Sequence, residues 1–200
     1  MIHFTLTNFF NNFHINENFK LLYNTHKNFF KTNLNFSTVD GNFPYCYWNG
    51  GYNNNIGPGV IYDNFFTLNN DTSIPLRINC SNIYLQKKDF YDTMANTILK
   101  ICENGSNEIE LSNLELFNYL KNKYPNYKYI FSKEADLINP FTPDIINCIN
   151  ESKNFKLISL PPSLSKNLNF LKQIENKKNI ELSINATCDI NCENYNKCLL

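Results

Sequence analysis

The sequence predicts an α/β domain of parallel β/α units forming a small or incomplete TIM-like barrel, with an open doubly wound sheet as the alternative. Two observations lead there. From residue 75 onward, short apolar runs alternate with stretches whose apolar residues recur at helical spacing. Between them stand helix-start and helix-stop residues where a β–α–β chain needs them. No repeat or linker-like segment divides the chain, so residues 1–200 are expected to form one β/α domain lacking the last barrel unit.

The first third is the less regular part. His3 to Leu6 is a strand candidate, and Phe19, Leu22, Tyr23, His26, Phe29 and Phe30 fit one face of an amphipathic helix. Phe36 to Val39 is the next strand, entering a long loop from Asp40 to Gly59. The middle is clearer. Pro75 to Cys80 is a strand that runs into a Ser81-Asn82 turn. From Asp89 to Asn104 a helix is expected, with Phe90, Met94, Ile98, Ile101 and Cys102 inward and Gly105 at its C-terminal cap.

Glu108 to Leu111 reads as a strand, and Ser112-Asn113-Leu114-Glu115 as a capping box with Ser112 at the cap. The helix it opens carries Leu116, Phe117 and Leu120 on one face and ends before Pro125. Tyr127 to Phe131 is the following strand. Thr142-Pro143-Asp144 starts a further helix, because Thr caps and Pro suits the first turn. Phe155 to Leu160 is a strand halted by Pro161-Pro162, Leu164 to Ile174 one helix stripe, and Ile180 to Ile184 the last strand. The total is about seven strands, one fewer than the eight of a closed barrel.

Composition narrows the function classes. The 17 Phe and 12 Tyr supply the apolar area for a core, which argues against disorder. Eighteen Lys and Arg balance eighteen Asp and Glu, so no basic surface points to nucleic acid. Asn occupies about one position in five, a bias of composition rather than a motif. Residues 1–14 have no basic leader before an apolar stretch, and no apolar run approaches a membrane span. With seven Cys, an odd number, a cytoplasmic location with reduced thiols and no membrane partner is expected.

In either parallel architecture a site forms where strands end. The expected ligand-binding residues for a small polar molecule or peptide are Trp48, Asn49, Asn79, Asn82, Asn113, Lys133 and Asn185. Asn8, Ser81, Ser112, Ser132, Glu134, Ser163 and Cys188 occupy the same strand-end positions, where Ser and Asn also serve as helix caps. Phe43 to Gly51 holds the single Trp above a Gly50-Gly51 pair. That segment reads either as a ligand-stacking lid or as a loop anchored by its own aromatics.

Cys188, Cys192 and Cys198 are candidate metal ligands for zinc or an iron–sulfur cluster, the alternative being free thiols. A fourth ligand would come from Cys46 or Cys80, since Cys102 and Cys148 fall on helix faces and read as core. His3, His14 and His26 have no partner at metal spacing, with His26 on its helix face and His14 in a turn. Neither a nucleophile elbow nor a phosphate-binding glycine motif occurs. Glu108 and Glu110 are read as pointing to different sides of their strand, so no acid–base pair and no catalytic residue is named.

Phe43-Pro44 with Trp48-Asn49-Gly50-Gly51, Pro75-Leu76-Arg77-Ile78 with Ser81-Asn82, Tyr91-Asp92-Thr93, and Tyr119 through Asn126 together resemble an uncharacterised β/α-barrel-like family of anaerobic bacteria and their phages. Ile184-Asn185 followed by Cys188 and Cys192 fits the same pattern. The resemblance covers most of the chain. That family is itself distantly similar to the collagenase-like peptidases, some of whose relatives modify RNA and place iron–sulfur cysteines after a late barrel strand. The resemblance implies a barrel with a strand-end site, and peptidase chemistry by analogy of fold alone. Two functional expectations follow: a barrel that binds a small polar ligand or a cluster at its strand-end face, or a non-catalytic interaction protein using the aromatic loop.

Overall fold

The computed structural model describes residues 2–7, 13–31, 34–43, 46–50 and 75–184. Seven strands form one sheet in sequential order: β1 (Ile2–Leu6), β2 (Leu34–Gly41), β3 (Leu76–Cys80), β4 (Glu108–Leu111), β5 (Lys128–Phe131), β6 (Leu157–Leu160) and β7 (Ile180–Leu182). Every neighbouring pair is parallel. The connections carry α1 (Phe13–Thr25), α2 (Thr93–Cys102), α3 (Leu114–Lys123), α4 (Pro143–Ser152), α5 (Pro162–Ser165) and α6 (Leu168–Gln173).

The sheet is curled. Laid flat, seven strands spaced ~4.8 Å apart would put the two edge strands roughly 29 Å from each other. Instead the Thr5 hydroxyl on β1 donates to Glu181 Oε1 on β7 at 2.8 Å. The two ends of the strand order therefore face each other across an interior, and the architecture is an incomplete barrel rather than an open doubly wound sheet.

Strand register sorts the side chains into two sets, because paired residues in parallel strands share a face. Val39, Leu76, Ile78, Ile109, Leu111, Tyr129, Phe131 and Ile158 face outward against the helices. With Leu116, Leu120 and Ile146 from the helices they form the apolar core. Each fully buried aliphatic side chain there contributes about 1.5–3 kcal/mol. Ile130 faces the other way, and although fully buried it does not join that core cluster.

Helix ends follow their capping residues. Thr142 Oγ1 accepts from Ile145 N at 3.3 Å with Pro143 in the first turn, as expected. Asn113, not Ser112, caps α3: its Oδ1 accepts from Glu115 N and Leu116 N, while the Ser112 hydroxyl donates to the Ser81 carbonyl on β3's exit. The helix expected from Asp89 is a 3₁₀ turn over Lys87–Tyr91 followed by α2. Asp92 divides them, because its carboxylate accepts from Ala95 N at 2.7 Å and so restarts the helix. Gly105 lies in the turn after α2 at φ +77°, where only glycine is unstrained. Asn167 breaks the stripe from Leu164 to Ile174 in the same way, accepting from Phe170 N to start α6.

Three further expectations change. His14 lies in α1 and His26 follows its end, stacked on Phe29. The apolar contact of α1 is narrower than its sequence stripe. Phe19 and Tyr23 meet Phe36 edge-on, while Leu22 and Phe29 are exposed. Cys148 is exposed, because α4 turns Ile146 toward the core and the residue two positions on lies about 200° around the helix. Among the described residues no helix is long and apolar enough to cross a membrane.

Candidate functional site

The interior of the curled sheet is polar, whereas barrels of this type are usually filled by branched apolar side chains. Thr5, Thr38, Asp40, Arg77, Asn79 and Glu108 face into it, as do Glu110, Ser159 and Glu181. Glu108 and Glu110 were read as facing opposite sides of β4. They share one face, since strand side chains repeat every second residue.

Arg77 is the centre of the charge network. Its Nε donates to Glu108 Oε2 at 2.9 Å and its Nη1 to Glu181 Oε2 at 2.6 Å, with Glu110 Oε2 3.7 Å away. Lys156, at the opposite end of the interior from the strand-end mouth, also donates to Glu108. Burial pulls the guanidinium's pKa down, but Glu181, Glu110 and Glu108 together raise it above its ordinary value. Arg77 is a fixed cation. Burial also pushes Glu181 up, yet the charge and hydrogen bond of Arg77, with the Ser159 and Thr5 hydroxyls, hold it below the usual carboxylate range.

Toward the strand ends, the Ser132 hydroxyl lies 2.9 Å from Glu110 Oε1 and also against Glu134 Oε2. One hydroxyl has one proton to give, so two carboxyl contacts require that one carboxyl donate to Ser132 instead of accepting. Glu110 is the carboxyl whose surroundings favour the protonated form. Burial raises its pKa to about 8 against the pull of Arg77, with Asp40, Glu134 and Glu181 adding to the rise. Asp40 is raised by burial to about 6, opposed by Arg77 and Lys133. Two carboxyls in one interior therefore keep different protonation states near neutral pH, the arrangement that separates an acid from a base.

The residues expected from sequence fall into three groups. Asn79 and Lys133 belong to this interior: Asn79 pairs in register with Glu110 and accepts from Ser81 N, and Lys133 acts on Asp40. Asn49, Asn82 and Asn113 hold backbone instead. Asn49 donates to the Phe43 carbonyl, Asn82 donates to the Tyr47 carbonyl at 2.8 Å, and Asn113 donates to the Leu85 carbonyl. Trp48 is fully buried, its Nε1–H donating to the Asp89 carbonyl at 2.8 Å, which matches the anchored-loop alternative. Asn8, Asn185, Cys188, Cys192 and Cys198 lie outside the described residues.

Burial raises the Cys46 thiol to about 11 and lifts the Cys80 and Cys102 thiols well above their ordinary value, so without a ligand they hold their protons. Among the described residues, no group of three or more His, Cys, Asp or Glu is placed to hold a metal ion. Away from the strand ends, an open groove of about 320 Å³ runs along the outer helices, lined by Tyr91, Asn96, Tyr119, Lys123 and Tyr124. Lys123 Nζ is already engaged there by Asn96 Oδ1 and the Tyr119 hydroxyl, each at 2.7 Å.

The residues sequence reasoning missed are Arg77, Glu108, Glu110 and Glu181, while Asp40 was reached only as the first residue of the strand-end loop from Asp40 to Gly51. Their signal was present: buried parallel strands read as continuous apolar runs, and Arg77/Asn79 and Glu108/Glu110 interrupt two of them at i and i+2. No known family model, curated protein or solved structure matches this chain.

Proposed function

We propose that this protein binds a small polar ligand at the strand-end mouth of its incomplete barrel and exchanges protons with it. The observation that carries this reading is the Glu110–Ser132–Glu134 chain, in which two carboxyls are joined through one hydroxyl beside the part-exposed Asp40. Glu110, protonated at neutral pH, is the proton donor, and Asp40, ionised above about pH 6, is the acceptor. Arg77 does not take part: its hydrogen bonds go to Glu108 and Glu181, and Glu110 is 3.7 Å from it. Asn79 and Lys133 add polar contacts for the ligand.

Saturation-transfer NMR of the full chain against mixtures of amino acids, sugars, amines and dicarboxylates tests the reading. Transfer to one class, lost in Asp40→Asn, is the expected result. No transfer to any class, or transfer that survives Asp40→Asn and Glu110→Gln alike, rejects it.

A further inference from the structure

We infer that the ligand taken up by this interior is an organic cation, a small molecule bearing an ammonium or guanidinium group, held by Asp40 and Thr38; this rests on the polar-ligand reading above. Two independent observations support it. The first is charge. Asp40, Glu108, Glu110, Glu134 and Glu181 converge on the interior, and among the described residues Arg77, Lys133, Lys156 and, at the exposed start of β5, Lys128 face them. Acid groups outnumber basic ones by one, and the proton held on Glu110 makes up the difference. A cationic ligand replaces that proton.

The second observation is an unmet hydrogen bond. Thr38 is 1% exposed and its Oγ1 has no partner among the described residues, although its register opposite Thr5 and two residues before Asp40 turns it into the same interior. Asp40 Oδ1 is likewise buried without a partner. A carboxylate oxygen only accepts, and a hydroxyl has lone pairs to accept with, so both atoms suit an N–H donor. Leaving such groups unpaired costs about 1–3 kcal/mol each, which a donor ligand recovers. An anionic ligand would meet Asp40 with like charge. A bare metal ion is disfavoured because no three acidic groups among the described residues are placed to ligate one.

Binding would draw the interior carboxyls toward their ionised forms, so Glu110 should release its proton as the cation enters. The full chain is titrated with putrescine, butanediol and succinate, matched in length and differing in charge, by thermal melting and calorimetry. Putrescine alone should raise the melting temperature, and its binding enthalpy should differ between phosphate and Tris buffers. Asp40→Asn and Thr38→Val, both close in shape to the original and checked by circular dichroism, should each weaken binding about tenfold, ~1.4 kcal/mol. An equal response to butanediol or succinate overturns the cation assignment while leaving the polar-ligand reading intact. No response to any of the three, or a putrescine response untouched by both substitutions, also overturns it.

Discussion

Arg77 on β3 and Glu181 on β7 are four strands apart in the sheet, yet Nη1 and Oε2 lie 2.6 Å from each other. The same guanidinium holds Glu108 on the adjacent strand at 2.9 Å. The planar fork points two ways at once, so one residue ties a neighbouring strand and a distant one into the same interior. With the Thr5–Glu181 contact it makes Glu181 the meeting point of β1, β3 and β7.

Removing Arg77 strands its partners. Glu108 is fully buried and Glu110 nearly so. Arg77→Ala is expected to cost about 3–5 kcal/mol, because uncompensated buried charge is worse than a missing pair. Arg77→Lys should recover little, since a single ammonium cannot serve Glu108 and Glu181 in two directions. Urea unfolding at neutral pH measures both. A Lys variant as stable as the parent would show that charge alone, without the fork, holds the curl.

The pH dependence of stability follows from Glu110. Its folded pKa of about 8 is above that of an unfolded chain, so the folded state holds the proton more tightly. The stabilisation is complete below the unfolded value, near pH 4–5, and is lost as pH rises through about 8. Asp40, raised to about 6, adds loss in the same direction. Glu181 has the opposite sign: held low, it contributes above the ordinary carboxylate range and fails as pH falls. Stability should therefore peak at mildly acidic pH and decline toward pH 8 by an amount on the order of a few kcal/mol. Glu110→Gln, which mimics the neutral acid, should flatten that decline. An equally steep decline in the variant would mean that Glu110 is ionised in the fold.

Seven strands, their order of appearance and most helix starts were legible because each has a local cause. Thr142-Pro143 caps by its own chemistry, and Ile78 with Ile109 makes a buried strand whatever surrounds it. The incomplete barrel was expected from the strand count, but periodicity does not separate it from an open sheet; the contacts of Glu181 with Thr5 and Arg77 do. The site was half legible. Asn79 and Lys133 were reached from strand-end position alone. Arg77, Glu108 and Glu110 were open to a period-2 reading, but their partners Asp40 and Glu181 come from strands whose register the sequence does not reveal. Abundant Asn also obscured the site, because Asn82 and Asn113 satisfy the same strand-end rule while serving turns and caps.

Trp48 joins the loop after β2 to the turn that precedes α2. Its indole N–H reaches the Asp89 carbonyl, and its own carbonyl accepts from Asn82 N at 3.0 Å. Trp48→Ala should cost about 3–5 kcal/mol. Trp48→Phe keeps most of the apolar volume but orphans a backbone acceptor, for about 1 kcal/mol more than packing alone accounts for. As the only tryptophan, it also reports its own environment. Native emission should be blue-shifted and resistant to iodide quenching, and free quenching in the native state would place the ring outside the core.

Gly50 sits against Ser81 at the end of β3. A Cβ added there would stand 2.5 Å from Ser81 Oγ and 3.1 Å from the Ser81 carbonyl carbon and oxygen. The hydroxyl has no hydrogen-bond partner to lose and can rotate away, but the backbone atoms cannot move without shifting the strand end. Gly50→Ala is therefore expected to destabilise by about 1–3 kcal/mol. Ser81→Ala should relieve only part of this, because it removes the side-chain clash and leaves the backbone one. Chemical unfolding of the two single variants and the double variant separates these contributions. Full rescue by Ser81→Ala would show that the hydroxyl alone fixes this approach and that the strand end tolerates a side chain at position 50.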